Sequence, residues 1–438
     1  MPVQEKAPIL AVDFGTSNSA AAMLADGKIT RLPLEPDRDT IPTSVFFNAD
    51  DNSTYYGTAA NIALSEGEPG RYMRSLKSLL GSPIMSESRL LNGRRMDGFD
   101  IICDYLTTIK ARAEDCTGLS FSHALAGRPV HFHTRDQVKD AQAEADLKQC
   151  FLRAGFEHVD FMAEPEAAAL SEQDKLHRNS LGLVVDIGGG TSDFTLFRKG
   201  KEATEYRLID ILASHGLRLG GTDFDRQTSL NFFMPHLGHK SKIRRAMADE
   251  TVTAPISIFA DLSTWEKIPF LYNAKTLREV RELIYLAPKK RPFERLKNVI
   301  EFESGHELAM LTEATKIALN TTDQGYQHVD LSLLDSGLTT DITVDEFDAA
   351  IMKSSDILRR EIEETLAKAH CAAEDVSQII EVGGGGKMKL VRQSLKDLFP
   401  NAEILSGATF TAVVDGLAMA TETRRQVQAG SGNTFVVN

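Results

Sequence analysis

Apolar and polar positions follow short periods from the start of the chain. APILAVDF is an apolar run, GTSN has turn chemistry, and SAAAMLA is apolar again before the turn ADG, which predicts strand, turn, strand. KITRLPL and TSVFFNA read as further strands, with Pro33 and Pro42 as breakers, and TAANIALSEG as a helix. FDIICDYLTTIKARAEDC places its apolar residues at helical spacing. HALAGRPVHFH reads as a strand, and TRDQVKDAQAEADLKQCFLRAGF as a helix capped by Thr134 and ended by Gly155. GLVVDIGGGTSDFTLFRKG then repeats the opening as strand, glycine turn, strand, with Asp186 standing 173 residues after Asp13.

Helical patterns dominate between Asp225 and Asn320: DFDRQTSLNFFMPHLG, ISIFADLSTWEKIPF, AKTLREVRELIYLA, PFERLKNVIEF and HELAMLTEATKIALN. Sheet returns near DLSLLDSGLTTDITV, followed by a long helix over DEFDAAIMKSSDILRREIEETLAKAH. QIIEVGGGGKMKLVRQSLKDLF reads as strand, glycine turn, helix; TAVVDGLAMATETRRQV is a last helix and AGSGNTFVVN a flexible tail.

Composition adds bounds. The 438 residues suffice for two large lobes, and 42% hydrophobic with 25% charged residues is an ordinary globular mixture. A formal charge of −13 disfavours nucleic acid and anionic membrane as partners but not nucleotides, which bind in local fields of backbone amides and metal ions. The four cysteines form no CxxC pair, and neither a signal peptide nor a bilayer-spanning run is evident, so a cytoplasmic location is expected.

Three segments have phosphate-binding chemistry: Asp13 to Asn18 (DFGTSN), Asp186 to Asp193 (DIGGGTSD) and Val382 to Lys387 (VGGGGK). Glycine admits phosphate oxygens close to backbone N–H groups, and an Asp before the turn can hold hydrated Mg²⁺. A Walker loop is excluded because Glu381 stands where its first Gly should be and Met388 follows Lys387. A dinucleotide fingerprint is excluded because Gly188 and Gly190 lead to Asp193, and Gly383 and Gly385 lead to Met388. Together the three turns fit a nucleotide held between two lobes.

At this point the chain resembles the nucleotide-binding domain of the seventy-kilodalton heat-shock (DnaK-type) chaperones, within the actin and sugar-kinase superfamily. AVDFGTSNS, RSLKSLLG, AEPEAAAL, VVDIGGGTSDF, LGGTDFD, TKIALN and EVGGGGKMKLV carry the resemblance, in family order along nearly the whole chain. GRPVHF, the Trp265 region and DGLAMATE are most similar to the short YegD-like branch, which has no peptide-binding domain.

The resemblance implies an α/β fold of two actin-like (ribonuclease H-like) lobes around a central nucleotide cleft. Lobe one would span 7–179, with a C-terminal helix 408–428 packing back on it; lobe two would span 180–407 with a helical subdomain 225–316, leaving a tail at 429–438. It implies ATP or ADP and Mg²⁺ as ligands, slow ATP hydrolysis with lobe closure, and a co-chaperone or exchange factor on lobe two.

By the same resemblance Asp13, Asp186 and Glu164 would hold the metal largely through water. Gly15, Thr16, Ser17 and Asn18 would cradle phosphate from one lobe, and Gly188, Gly189, Gly190 and Thr191 from the other. Lys77, Glu164, Asp186 and Thr191 would serve hydrolysis. Gly220, Gly221, Glu313, Lys316, Asn320, Gly383, Gly384 and Gly385 would complete the nucleotide pocket, with Lys387 over the adenine.

Departures gather on the adenosine side: Asn320 where the family has Ser, Gly385-Gly386-Lys387 where it has Ser-Thr-Arg, and Phe410 near a family Asp. The segment between Leu80 and Phe99 is short, implying a reduced peripheral subdomain. Taken alone, Lys77 reads as a solvated helix-surface lysine, Glu164 as part of a helix start, His131 and His133 as a strand pair facing one side, and Trp265 as core. A small-molecule kinase of the same fold, a non-catalytic nucleotide-gated scaffold and an actin-like filament are the competing functional readings.

Overall fold

A computed structural model describes residues 8–133, 136–177, 180–204, 207–244, 250–405 and 411–430. Two sheets, one of six strands and one of five, dominate it and share the same five-strand wiring. In the first, β1 (Ile9–Phe14), β2 (Asn18–Ala25) and β3 (Lys28–Leu32) form an antiparallel meander, and β4 (His123–Arg128) and β5 (His158–Ala163) add in parallel on the other side of β1. The spatial order is β5-β4-β1-β2-β3, with the two-residue strand Ile41–Pro42 also pairing with β2.

The second sheet repeats the plan with β6 (Leu181–Ile187), β7 (Ser192–Thr204), β8 (Arg207–Leu217), β9 (Val376–Val382) and β10 (Glu403–Leu405), in the order β8-β7-β6-β9-β10. The likeness that the sequence shows in one hairpin therefore extends to two whole sheets. Even the hairpin registers agree: Asp13 lies opposite Ala20, and Asp186 opposite Asp193.

Helices fill both faces. On the first sheet, α1 (Gly98–Thr117) and α2 (Gln137–Arg153) cover a core that includes Phe14, Ile102, Tyr105, Leu147 and Phe151. Between the sheets lie α3 (Glu164–Ser171) and the last helix, which follows β10 and runs over Ala412–Gly430. Small residues allow their close approach: a Cβ on Gly416 would come within 2.9 Å of the Ala167 Cα. This is why a glycine, costly inside a helix by about 1 kcal/mol, is accommodated there. Asp415 of that helix accepts hydrogen bonds from Arg31 Nε at 2.9 Å and Nη2 at 2.8 Å, tying it to β3.

The span after β8 is mainly helical, from α4 (Gly221–Thr228) through Ser257–Leu262, Ala274–Leu286 and Arg291–Glu301 to α5 (Gly305–Thr321). A hairpin of Lys242–Arg244 with Thr251–Thr253 interrupts it, which the helical pattern does not foretell. The long helix α6 (Val344–Lys368) starts in a capping box of Thr343 and Glu346; after β9, α7 (Lys389–Leu398) leads to β10.

Three local expectations change. The strand through HALAGRPVHFH stops at Arg128, because Pro129 has no N–H to donate; His131 and His133 therefore lie in a loop and not on a strand. The cap of α2 is Asp136, whose side chain accepts from the Lys139 N–H at 3.1 Å; Thr134 lies outside the described residues. DLSLLDSGLTTDITV is a hairpin of Tyr326–Asp330 with Thr339–Thr343, so most of DLSLLDSG forms its connection. Residues 431–438 of the expected tail, and Phe410, also lie outside the described residues.

Across from the helical span, a small sheet of Ser44–Asn48, Thr54–Tyr56 and Gly70–Arg74 presents Tyr72 and Arg74 to Trp265 and His306. The Arg74 guanidinium sits 4.5 Å from the Trp265 ring centre, and the His306 ring is 5.0 Å from it. Trp265 is thus a contact between chain segments and only half-buried. Burial, joined by the Arg74 charge, pushes the His306 imidazole down from 6.5 to about 4. The unfolded chain takes up this proton near pH 6.5 and the folded chain only near pH 4, so stability present above pH 6.5 is lost progressively down to pH 4. His306→Gln is expected to remove a loss of about 3 kcal/mol across that window. Urea unfolding at pH 7 and pH 4.5 checks this; an identical change in stability between the two pH values in wild type and variant would contradict it.

Candidate functional site

The two Asp-led hairpins face each other across a cavity of about 1280 Å³. Local packing fixes each hairpin tip. In the first, Thr43 donates its hydroxyl to the Gly15 carbonyl at 2.9 Å and its N–H to the Ser17 carbonyl at 2.8 Å. In the second, the Gly188 N–H closes the turn on the Thr191 carbonyl at 2.9 Å. The start of α4 backs it, with the Gly221 N–H donating to Gly188 at 2.9 Å and the Thr222 N–H to Gly189 at 2.7 Å. Gly220 makes this approach possible, since a Cβ there would lie 2.6 Å from the Gly189 carbonyl oxygen. A Cβ on Gly189 would collide with the Ser17 hydroxyl of the opposite hairpin.

The third turn follows β9. Gly383 has φ +76°, and a Cβ there would stand 3.0 Å from Asp186 Oδ1, so glycine is needed for both conformation and space. Gly384–Lys387 forms a single 3₁₀ turn before α7. Asn320 clips that turn to α5: its side chain donates to the Lys387 carbonyl at 3.1 Å and accepts from the Lys389 N–H at 2.7 Å. Lys316, also on α5, pairs with Asp225 at 2.8 Å.

At the cavity floor Lys77 Nζ donates to Glu164 Oε1 at 2.5 Å, with their side chains only 10% and 11% exposed. Lys77 therefore does not lie solvated on a helix surface. It sits in the 3₁₀ turn Leu76–Leu79, launched by Ser75 in the left-handed region at φ 58°, a conformation costly for a residue with a Cβ. Glu164 opens α3 and is followed by Pro165, so the helix-start reading and the cavity position coexist.

Charge is concentrated at this floor. Burial pushes the Asp186 carboxyl up to about 8, helped by Glu164 and Asp193 and opposed by Lys77. Burial and Glu164 push Asp193 up to about 7. Asp13 is raised for the same reasons, with Lys77 again opposing. Burial works against the Lys77 ammonium, but Glu164, Asp13 and Asp186 outweigh it and its pKa is raised. Oxygen donors crowded this way, with a single ammonium among them, suit a hard divalent cation.

Of the residues singled out in the sequence, Asp13, Gly15 to Asn18, Lys77, Glu164, Asp186, Gly188 to Thr191, Gly221, Glu313, Lys316, Asn320, Gly383 to Gly385 and Lys387 all line this one cavity. Gly220 lies behind its wall. Missed by the sequence reading were Thr43, which has no motif, and a role for Asp193, which closes the second glycine segment and whose position opposite Asp186 is legible from equal hairpin arms.

The chain is also similar in sequence to known proteins. Residues 83–256 match the family model described as Hsp70 protein. The chain is 31% identical over 232 residues to the chaperone protein DnaK of Endomicrobium trichonymphae, covering 50% of this chain and 34% of that one. It is 24% identical over 425 residues to the chaperone protein DnaK of Thermosipho africanus (strain TCF52B), covering 94% of this chain and 59% of the relative. The counterpart from Thermosipho melanesiensis is 23% identical over 425 residues, with 60% of it covered. The chain thus spans about a third to three fifths of the length of these relatives. It is similar to Hsp70-type chaperones over part of their length, and its mixed α/β sheets and helices are consistent with that likeness. Among the described residues no helix is long and apolar enough to cross a membrane.

Proposed function

We propose, from the Hsp70-type likeness and the cleft together, that this chain binds ATP and ADP with Mg²⁺, hydrolyses ATP slowly and closes its lobes around the nucleotide in a chaperone setting. The observation that carries the reading is the convergence of three glycine turns on one carboxylate–lysine floor. Mg²⁺, when bound, would neutralise phosphate oxygens; Asp13, Asp186 and Glu164 are the residues to hold it, largely through water. The raised carboxylates and the Cβ-free approach at Gly383 fit that assignment.

The chain's own residues do the rest. Backbone N–H groups of Gly15 to Asn18 and of Gly189 to Thr191 receive phosphate oxygens from opposite sides, while the Gly188 N–H holds the second turn closed. Lys77 brings positive charge to the transferring phosphoryl group, and Glu164 with Asp193 orients the attacking water. Glu313, Lys316 and Lys387 line the adenosine side; Asn320, with both ends of its amide engaged by backbone, shapes that side more than it reaches into it. Phe270, Tyr285 and Phe302, between 73% and 80% exposed on the helical span, support a protein partner such as a co-chaperone or exchange factor there.

Ligand that binds only the folded state at 100 times Kd should add about 2.7 kcal/mol of stability. Mg–ATP is therefore expected to raise the melting temperature, and ATP with a chelator to raise it much less. A melting curve unmoved by millimolar Mg–ATP would contradict the proposal.

A further inference from the structure

A second cluster of ligand-type side chains joins β8 to α6 and shares no residue with the phosphate-binding floor. His215 lies on β8, the edge strand of the second sheet; Glu361, Glu364 and Lys368 lie on α6 at helical spacing, so they share one face. One donor atom from each of His215, Glu361 and Glu364 lies within 4.8 Å of the others. His215 Nε2 is 2.5 Å from Glu361 Oε2, and its Nδ1 is 2.6 Å from Lys368 Nζ, which in turn is 3.2 Å from Glu364 Oε1.

These partners assign the tautomer. Nε2–H donates to Glu361, so Nδ1 carries a lone pair and accepts from the ammonium. An imidazole lone pair and a carboxylate are thus already gathered around a cation. A carboxylate on the far ring nitrogen is the usual orienting partner of a metal-binding histidine. We propose that His215, through Nδ1, and Glu364 bind a divalent transition-metal ion such as Zn²⁺ in exchange for the Lys368 ammonium, with Glu361 orienting the ring from Nε2 and water completing the ligand shell.

The donor set discriminates between metals. An imidazole with a carboxylate and water suits Zn²⁺, whereas Mg²⁺ prefers octahedral oxygen ligands. His215 and Glu361 also face the large cleft, which gives an entry path and room for water as a remaining ligand. The bound ion would cross-link the sheet edge to α6.

The test is titration of the full chain with Zn²⁺ against a chromophoric chelator, in excess Mg²⁺, with the Co²⁺ absorption spectrum as the coordination signature. One Zn²⁺ per chain is expected. His215→Gln and Glu364→Gln should each weaken binding about tenfold or more, and Lys368→Met should tighten it by removing the competing ammonium. Glu364 and Lys368 are 53% and 43% exposed at the side chain, so their variants should melt like the wild type without metal. The proposal is overturned by absence of saturable Zn²⁺ binding, by equal affinity in wild type and His215→Gln, or by weaker binding in Lys368→Met. Binding lost in Asp186→Asn but kept in His215→Gln would assign the metal to the phosphate floor and also overturn it.

Discussion

Lys77→Ala is expected to slow single-turnover ATP hydrolysis by ~10²-fold or more while ATP still binds. The argument rests on where the ammonium is held. Its Nζ is fixed 2.5 Å from Glu164 Oε1, and Glu164 above all, with Asp13 and Asp186 adding to it, holds its pKa up against burial. A preorganised charge at the floor is worth most when charge shifts during phosphoryl transfer, and less when the nucleotide merely binds. The variant should also lose stability, on the order of 3–5 kcal/mol without metal, because Glu164 is left buried with no cation. Mg²⁺ should recover part of that loss. Gly384→Val supplies the contrast: Gly384 faces the cavity, so a branched side chain there should weaken ATP binding and spare the rate at saturation. A wild-type hydrolysis rate in Lys77→Ala would remove Lys77 from the mechanism.

The metal-free protein should become less stable as pH rises from 5 to 8.5. Asp186 with a pKa of about 8, Asp193 at about 7 and the raised Asp13 hold protons in the folded chain, whereas the unfolded chain releases them near 3.8. Their stabilisation is fully present below pH 3.8 and is lost as pH rises through the folded values. Each such group contributes a slope of up to about 1.4 kcal/mol per pH unit in the interval where the two states differ by a proton. Mg²⁺ bound to the ionised carboxylates should flatten the slope. Urea unfolding across this range, with Mg²⁺ and with chelator, reads the difference directly. Parallel profiles would mean that these carboxylates do not hold the metal.

Features with strong local chemistry were legible in the sequence. GTSN and IGGGTS between apolar runs identify both hairpins, because glycine and small polar residues admit the turns that flank each β-sheet entry. The glycine turn before α7 is legible for the same reason. The edge strand β8 was not, since RLIDILASHGL mixes charged and apolar positions as a partly exposed edge does. Gly70–Arg74 is too polar to read as a strand, yet it carries Tyr72 and Arg74 to Trp265. Lys77 is recognisable only through its motif: its burial depends on the left-handed turn at Ser75, a conformation no periodicity encodes. The identical wiring of the two sheets cannot be read from periodicity, because only the hairpin residues keep the likeness; it is implied only by the resemblance to two actin-like lobes.

The most direct test of the central claim is a calorimetric titration of ATP into the purified chain, with and without Mg²⁺. One saturable site per chain is expected, tightened by Mg²⁺ in the wild type and losing that tightening in Asp13→Asn and Asp186→Asn. No saturable binding, or a site whose affinity is the same with and without Mg²⁺ in all three proteins, would contradict the assignment of this cleft to Mg–ATP.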